Sequence, residues 1–397
     1  MTRQHPKAPS LDIDFYSDET LKDPAGTYRK MRDAGPVVWL CRHQIHAICS
    51  HEALTRSLRN HRVFQSGQGV SINEDVNKIL VGSTLNSDPP QHDLTRAITF
   101  APLTPKALQE VKSLVTTEAK AIAKTVAEMG TFDAAQDLAP HLPLKVVRKL
   151  VGLGGGENKM LDWGAATFEL MGDPKTRGQK ARENLKEMRI FLEDPETLAQ
   201  LSPDGWAKRA TDAGIAQGMS QTRATELMRD YIAPSLDTTI SAIGYAIHLF
   251  AKHPEEWDKL RKDRSLIKNA IEEVVRLNTP IRAFTRKLSE AVEVQGVQLS
   301  KDERVLMVFG AANRDPAKFP DPDRFDVTRD TRGHVGFGHG VHACLGMHLA
   351  RLEMSCLFEA LADRVASFEL TGKVEVARNA TIHAYSSLPV RAVLPRT

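Results

Sequence analysis

One cysteine, Cys344, sits in the ten-residue stretch FGHGVHACLG, bracketed by Phe337, Gly338, Gly340 and Gly346. Glycine adopts backbone angles closed to other residues and lets the chain approach a flat ligand closely. A thiolate presented there, with backbone N–H groups directed at its sulfur, is suited to axial ligation of a haem iron. Such a ligand pushes electron density onto the metal and favours cleavage of an O–O bond. Two other chemistries compete. A free cysteine is commonly a small buried hydrophobe, and His334, His339, His342 and His348 around Cys344 suggest zinc. Neither accounts for the Phe and Gly positions, and the histidines lack the paired spacing of a zinc site.

A second group of residues is charged and spaced for helices. Glu273 and Arg276, in IEEVVRLN, stand at i, i+3 on one helix face and are placed to pair. Arg324 in PDRF is the natural third member, because a guanidinium forks into a carboxylate. Haem carries two propionates, so a haem site needs cations at its edge. His92 and Arg96 share a helix face at i, i+4, while Arg286 and His342 lie elsewhere in the chain. Asp237 and Thr238, inside a long apolar run, are an acid next to an alcohol, the pairing that hands on protons.

The spacing Phe-x-x-Gly-x-x-x-Cys-x-Gly resembles the signature of the cytochrome P450 family, and the resemblance covers nearly the whole chain. It implies a mainly α fold with a minor β region, one large domain over residues 1–397 enclosing haem b on Cys344. It also implies O2 as co-substrate and a monooxygenase activity. By family position His92, Arg96, Arg286 and His342 bind the propionates, Phe337, Gly338 and Gly346 shape the haem cradle, and Asp237 with Thr238 relays protons to bound dioxygen. The cluster of Glu273, Arg276 and Arg324 then braces the segment preceding the cysteine loop. One departure concerns Pro234-Ser235, where the family usually has Ala-Gly. Proline inside a helix costs about 3 kcal/mol, which a helix already opened at that point would tolerate.

The same resemblance puts Val70, Ile72, Phe168, Met171, Asp230, Pro234, Arg282, Ala283, His383 and Tyr385 around the substrate. Among these, Arg282 is a candidate clamp for a substrate carboxylate. Similarity around AANRDPAKFPDPDRFDVTRD leans towards bacterial members acting on small aromatic acids or phenols, by hydroxylation or O-demethylation. A terpenoid or other secondary-metabolite hydroxylase is the alternative within the family. A non-catalytic haem sensor and a peroxide-driven enzyme are alternatives of other classes, the latter disfavoured by Asp237 and Thr238.

Composition narrows the field. The chain has 397 residues, 41% hydrophobic and 26% charged, and a net charge of +3, which gives no support to nucleic-acid binding. Four cysteines form no disulfide framework, in keeping with a reducing cytoplasm. The start has no apolar signal segment, and no window is long and apolar enough for a membrane span. Without a flavin or iron–sulfur domain, electrons are expected from a separate ferredoxin and an NAD(P)H-dependent ferredoxin reductase. Arg96, Lys106 and Arg351 are candidates to steer such an acidic partner.

Elements to position these residues are legible in outline. VVWLCRHQIHAICS alternates as a strand hairpin; residues 61–84 read as a loop with short helical pieces; Asp88 to His253 is mostly helical. One helix closes at Gly130, another stops at Pro174, and TRATELMRDYIAPSLDTTISAIGYAIHLFAKH reads as a core helix of about 30 residues, apolar on more than one face. AVEVQGVQLSKDERVLMVFG reads as a hairpin turning near Lys301-Asp302, and SLPVRAVLP as a final strand.

Overall fold

The computed structural model describes residues 7–153, 155–156, 159–172 and 178–395. With 54% helix and 12% strand, the fold is mainly α with a minor β part, as expected. The helices on or beside the site include α1 (Gln91–Phe100), α2 (Pro105–Met129), α3 (Met160–Leu170), α4 (Arg229–Lys252), α5 (Ile267–Asn278) and α6 (Met347–Ala362).

Helix α2 shows how local sequence sets these elements. The Thr104 side chain caps its first turn by accepting from the Ala107 N–H, Pro105 occupies the first helical position, and Gly130 ends it at φ 69°. Its buried residues Leu108, Val115, Ala119, Ile122 and Val126 recur at helical spacing. That face packs along α6, the helix that leaves the cysteine loop.

The long apolar run is not one 30-residue helix. It divides into a short helix Gln221–Thr225, a 3-10 turn Glu226–Met228 and the 24-residue α4. α4 runs from Arg229 to Lys252 with Pro234 inside it, so the helix is not divided at that proline. The apolar residues on several of its faces are accounted for by neighbours on each side: α3, α5 and the strand Ser367–Leu370 all pack on it.

The larger sheet has six strands in the order Ser10–Leu11, Val37–Leu40, Ile45–Ile48, Arg304–Met307, Phe284–Leu288, Phe64–Gln65. Its expected hairpin is present, with Val37 opposite Ile48. Residues 61–84 do hold a helix, Glu74–Leu80, and also contribute the edge strand Phe64–Gln65. The turn expected at Lys301-Asp302 is present, with Asp302 at φ 65°, but it does not close the hairpin, which turns at Gln295-Gly296 and joins Val292–Val294 to Val297–Leu299. Arg304–Met307 then leaves that hairpin and enters the large sheet. The final strand Pro389–Val393 lies between Ser367–Leu370 and Thr131–Asp133. Pro174, expected to stop α3, falls outside the described residues.

Candidate active site

Cys344 lies on the wall of a cavity of about 240 Å³. Its own N–H donates to the Phe337 carbonyl at 2.7 Å, which closes the loop. The N–H groups of Gly346 and Met347 point at the sulfur, opposing the burial that raises the thiol pKa. Arg96 and Arg351 favour the thiolate as well. Two glycines meet different demands here. Gly340 sits at φ 73° with Leu58 so close that a Cβ would come within 2.6 Å of its carbonyl oxygen. Gly346 has open space where a Cβ would stand, on the cavity side of the loop.

A small network holds this loop to α5. Glu272 accepts from Arg351 Nε at 2.7 Å and Nη2 at 2.8 Å, and lies 2.8 Å from His334 Nε2. These partners overcome burial and hold the Glu272 carboxyl down at about 2. Arg351 also lies over the Phe337 ring, 4.8 Å from its centroid. Sequence reasoning missed Glu272, though it is next to Glu273.

Glu273 and Arg276 form a fully buried pair, 2.7 Å from Nε to Oε2, and Arg276 Nη1 donates to the Asn313 and Pro322 carbonyls at 2.8 Å each. The third member is Arg329, not Arg324. Arg329 Nε reaches Glu273 Oε1 at 3.0 Å, and its Nη2 donates to the Asp321 and Arg324 carbonyls at 3.0 Å. Arg324 points outward to Asp326 and is 65% exposed, because the bend at Asp321–Arg324 leaves its backbone, not its side chain, facing the cluster.

His342 lines the cavity and His92 packs on it, and among the described residues neither Nε2, both buried, has a hydrogen-bond partner. Arg286, also buried, donates from Nη1 to the Thr285 carbonyl at 2.7 Å, and Arg96 from Nη2 to the Ala343 carbonyl at 2.8 Å. Among the described residues, neither guanidinium has a carboxylate within ion-pair distance. Burial lowers Arg286 to about 10, a cation short of an anion. Two arginines and two imidazoles beside a thiolate suit a flat dianionic ligand, so these residues fit haem with its two propionates.

Across the cavity, Thr238 takes the ordinary mid-helix role, its hydroxyl donating to the Pro234 carbonyl at 2.9 Å. Thr238, Pro234 and Ser235 all line the cavity. Among the described residues the buried Oδ2 of Asp237 has no hydrogen-bond partner, and burial pushes its carboxyl up to about 7. Glu353 on α6, unnoticed in the sequence, also lines the cavity; its buried Oε1 has no hydrogen-bond partner among the described residues, and burial lifts the carboxyl to about 8. A carboxylate interrupting the apolar run HLARLEMSCLF is the signal that would have found it.

The substrate residues divide. Phe168, Met171, Asp230 and Pro234 line the cavity; Val70, Ile72, Arg282, Ala283, His383 and Tyr385 are outside its lining. Val70 packs into the main core and Ile72 against a second cluster, because bonds from Val70 and Ser71 to Asn86 and Asn77 fix their segment. Ile281, held by a bridge to Ile382, takes the wall position, so Arg282 turns away. It donates to the Ala380 carbonyl at 2.7 Å and lies 4.6 Å from the Phe15 ring centroid. Ala283 joins that same cluster. Asp230 accepts from the Thr84 N–H at 3.2 Å, and Arg229, missed in the sequence, is a wall residue.

Two of the three expected steering cations face inward. Arg96 is engaged by the loop and Arg351 by Glu272, which leaves Lys106 exposed.

The family model for cytochrome P450 matches residues 201–372. Cytochrome p450 CYP199A2 of Rhodopseudomonas palustris is 33% identical, over 96% of this chain and 94% of its own. The 6-deoxyerythronolide B hydroxylase of Saccharopolyspora erythraea is 30% identical over 95% and 98%. P450BioI, solved with an acyl carrier protein bearing hexadec-9Z-enoic acid, superposes with a TM-score of 0.84 at 24% identity, covering 94% of this chain and 100% of that one.

Proposed function

Because the chain belongs to the cytochrome P450 family and is a haem-thiolate monooxygenase, we propose that residues 1–397 act as one unit on a small aromatic acid or phenol, by hydroxylation or O-demethylation. Haem, held by Cys344, supplies the activation of O2. His92, Arg96, Arg286 and His342 hold its propionates; Phe337 and Gly346 shape its cradle. Asp237, about half protonated near pH 7, passes protons towards Thr238.

The observation carrying the substrate class is Arg229. It stands in a wall with apolar groups such as Leu80, Phe168 and Met171; its Nη1 donates to the Ile79 carbonyl at 3.4 Å and its Nη2 lies 3.8 Å from Glu226 Oε1, while among the described residues Nε has no hydrogen-bond partner. A carboxylate or phenolate on a flat apolar body suits that wall. Arg229 thereby takes the role expected of Arg282.

Electrons come, in this reading, from a separate ferredoxin and its NAD(P)H-dependent reductase, docking near Lys106 on the cysteine side in the cytoplasm. No described helix is long and apolar enough to cross a membrane.

The test is a panel of benzoates, phenols and neutral terpenes, read by the high-spin shift and by product formed with reconstituted ferredoxin and reductase. Benzoates or phenols should shift the spin state and be oxidised, and Arg229→Ala should weaken their binding roughly 30-fold, the scale of one charged hydrogen bond. Preference for neutral terpenes, or unchanged affinity in Arg229→Ala, would sink the assignment.

A further inference from the structure

Behind the cavity wall lie four rings that the monooxygenase chemistry leaves unused. Tyr245 and Tyr385 stack with centroids 6.0 Å apart and planes within 5° of parallel. The Tyr385 hydroxyl reaches His248 Nδ1 at 2.5 Å, and the His383 ring lies 5.9 Å from Tyr245 and 6.4 Å from Tyr385. None of the four lines the cavity. They are nevertheless tied to it. Tyr245 is one helical turn beyond Ala242, a wall residue, and about 10 Å along α4 from Thr238. The segment carrying Tyr385 is bridged to the wall through Ile382 and Ile281, and Ser241 donates to the His383 carbonyl at 2.6 Å.

Packing alone accounts for the stacked rings, but not for a phenol aimed at an imidazole. His248 is held down at about 4, chiefly by burial, with Lys252 and His253 adding to it, so it is neutral at pH 7, and in the tautomer protonated at Nε2 its Nδ1 accepts from the Tyr385 hydroxyl. Oxidising a partly buried, poorly solvated phenol would leave a cation that this environment stabilises badly, so its proton leaves together with the electron. Among the described residues, Tyr245 has no base hydrogen-bonded to its hydroxyl, whereas Tyr385 does. The two tyrosines are therefore chemically unequal: Tyr245 can bridge electron tunnelling without itself being oxidised, whereas Tyr385 can be oxidised and stay so.

We propose that Tyr385 and His248 form a redox-active phenol–imidazole pair that removes oxidising equivalents from the haem, through Tyr245, when no C–H bond is within reach. In each event one electron leaves Tyr385 and reduces the oxidant at the haem by one equivalent. The phenolic proton moves to His248 Nδ1, giving a neutral tyrosyl radical and an imidazolium. A thiol or ascorbate-type reductant in solution then returns one electron to Tyr385, and the proton returns from His248. Both Tyr385 and His248 are only partly buried, which gives such a reductant access.

The test uses haem-loaded, substrate-free ferric protein, mixed with peracetic acid, freeze-quenched and examined by electron paramagnetic resonance. Wild-type protein should give a tyrosyl signal, identified by the narrowing that ring-deuterated tyrosine produces. Tyr385→Phe should lose that signal and bleach its haem faster, with haem content and the reduced carbon-monoxide band checked beforehand. His248→Gln keeps every tyrosine and should slow radical formation about 100-fold, the scale of a missing positioned base. It carries the test alone where Tyr385→Phe fails to load haem. No tyrosyl signal in the wild type, an undiminished one in Tyr385→Phe, or wild-type kinetics in His248→Gln would each overturn the proposal.

Discussion

His92 and His342 meet edge to face, ring centroids 4.4 Å apart, although they come from a helix and a loop far apart in the chain. Burial, with Arg286 and His92 adding to it, drives His342 down to about 2, so its imidazole is neutral near pH 7. His342→Phe should keep the ring packing and lose one hydrogen bond to an anion. Haem transfer to an excess of apomyoglobin should then be roughly 30-fold faster than from wild type.

Glu353 makes stability depend on pH in an unusual direction. Its folded value, about 8, lies above the ordinary carboxylate value, so the folded chain holds a proton that the unfolded chain releases. The contribution is complete below about pH 4.5 and is lost as pH rises towards 8. Glu353→Gln should therefore melt higher than wild type at pH 8, with the advantage shrinking at pH 5. Melting curves followed at the Soret band across that range check it. A wild-type advantage at pH 8 would contradict the sign.

Asp237 titrates near 7 because of burial alone. If it hands protons towards Thr238, coupling of NADH use to product should decline as pH rises through 7. Asp237→Asn should cut product formation by about 100-fold and flatten that profile. Parallel measurement of peroxide released and product formed separates a proton fault from a binding fault.

Removing the Glu273 carboxylate leaves Arg276, which has no exposed surface, as a buried cation without its partner. Glu273→Ala should cost about 3–5 kcal/mol. Arg324→Ala, on a side chain outside the cluster, should stay within about 0.5 kcal/mol. Urea unfolding of the haem-loaded variants, set beside Arg329→Ala, decides which arginine completes the cluster.

What the sequence made legible was whatever depends on local spacing. The hairpin opening at Val37, the glycine that ends α2, and the cysteine loop are written in consecutive residues. The divided run before α4 was not legible, because the hydrophobic pattern continues across Glu226–Met228 while the backbone tightens. Arg324 and Arg329 both fit a fork into Glu273; the bend between them, a tertiary result, selects the second. Arg282 was misread for a similar reason: in an irregular segment, neighbouring side chains are assigned their faces by the Ile281–Ile382 bridge rather than by any period.

Glu272 and Glu273 are consecutive, yet one grips the helix behind the thiolate and the other grips the bend upstream of the loop. A displacement of α5 by a fraction of a turn is therefore transmitted to both together. Substitutions in α5 remote from any ligand should register first as altered iron spectra, before any measurable loss of helix content.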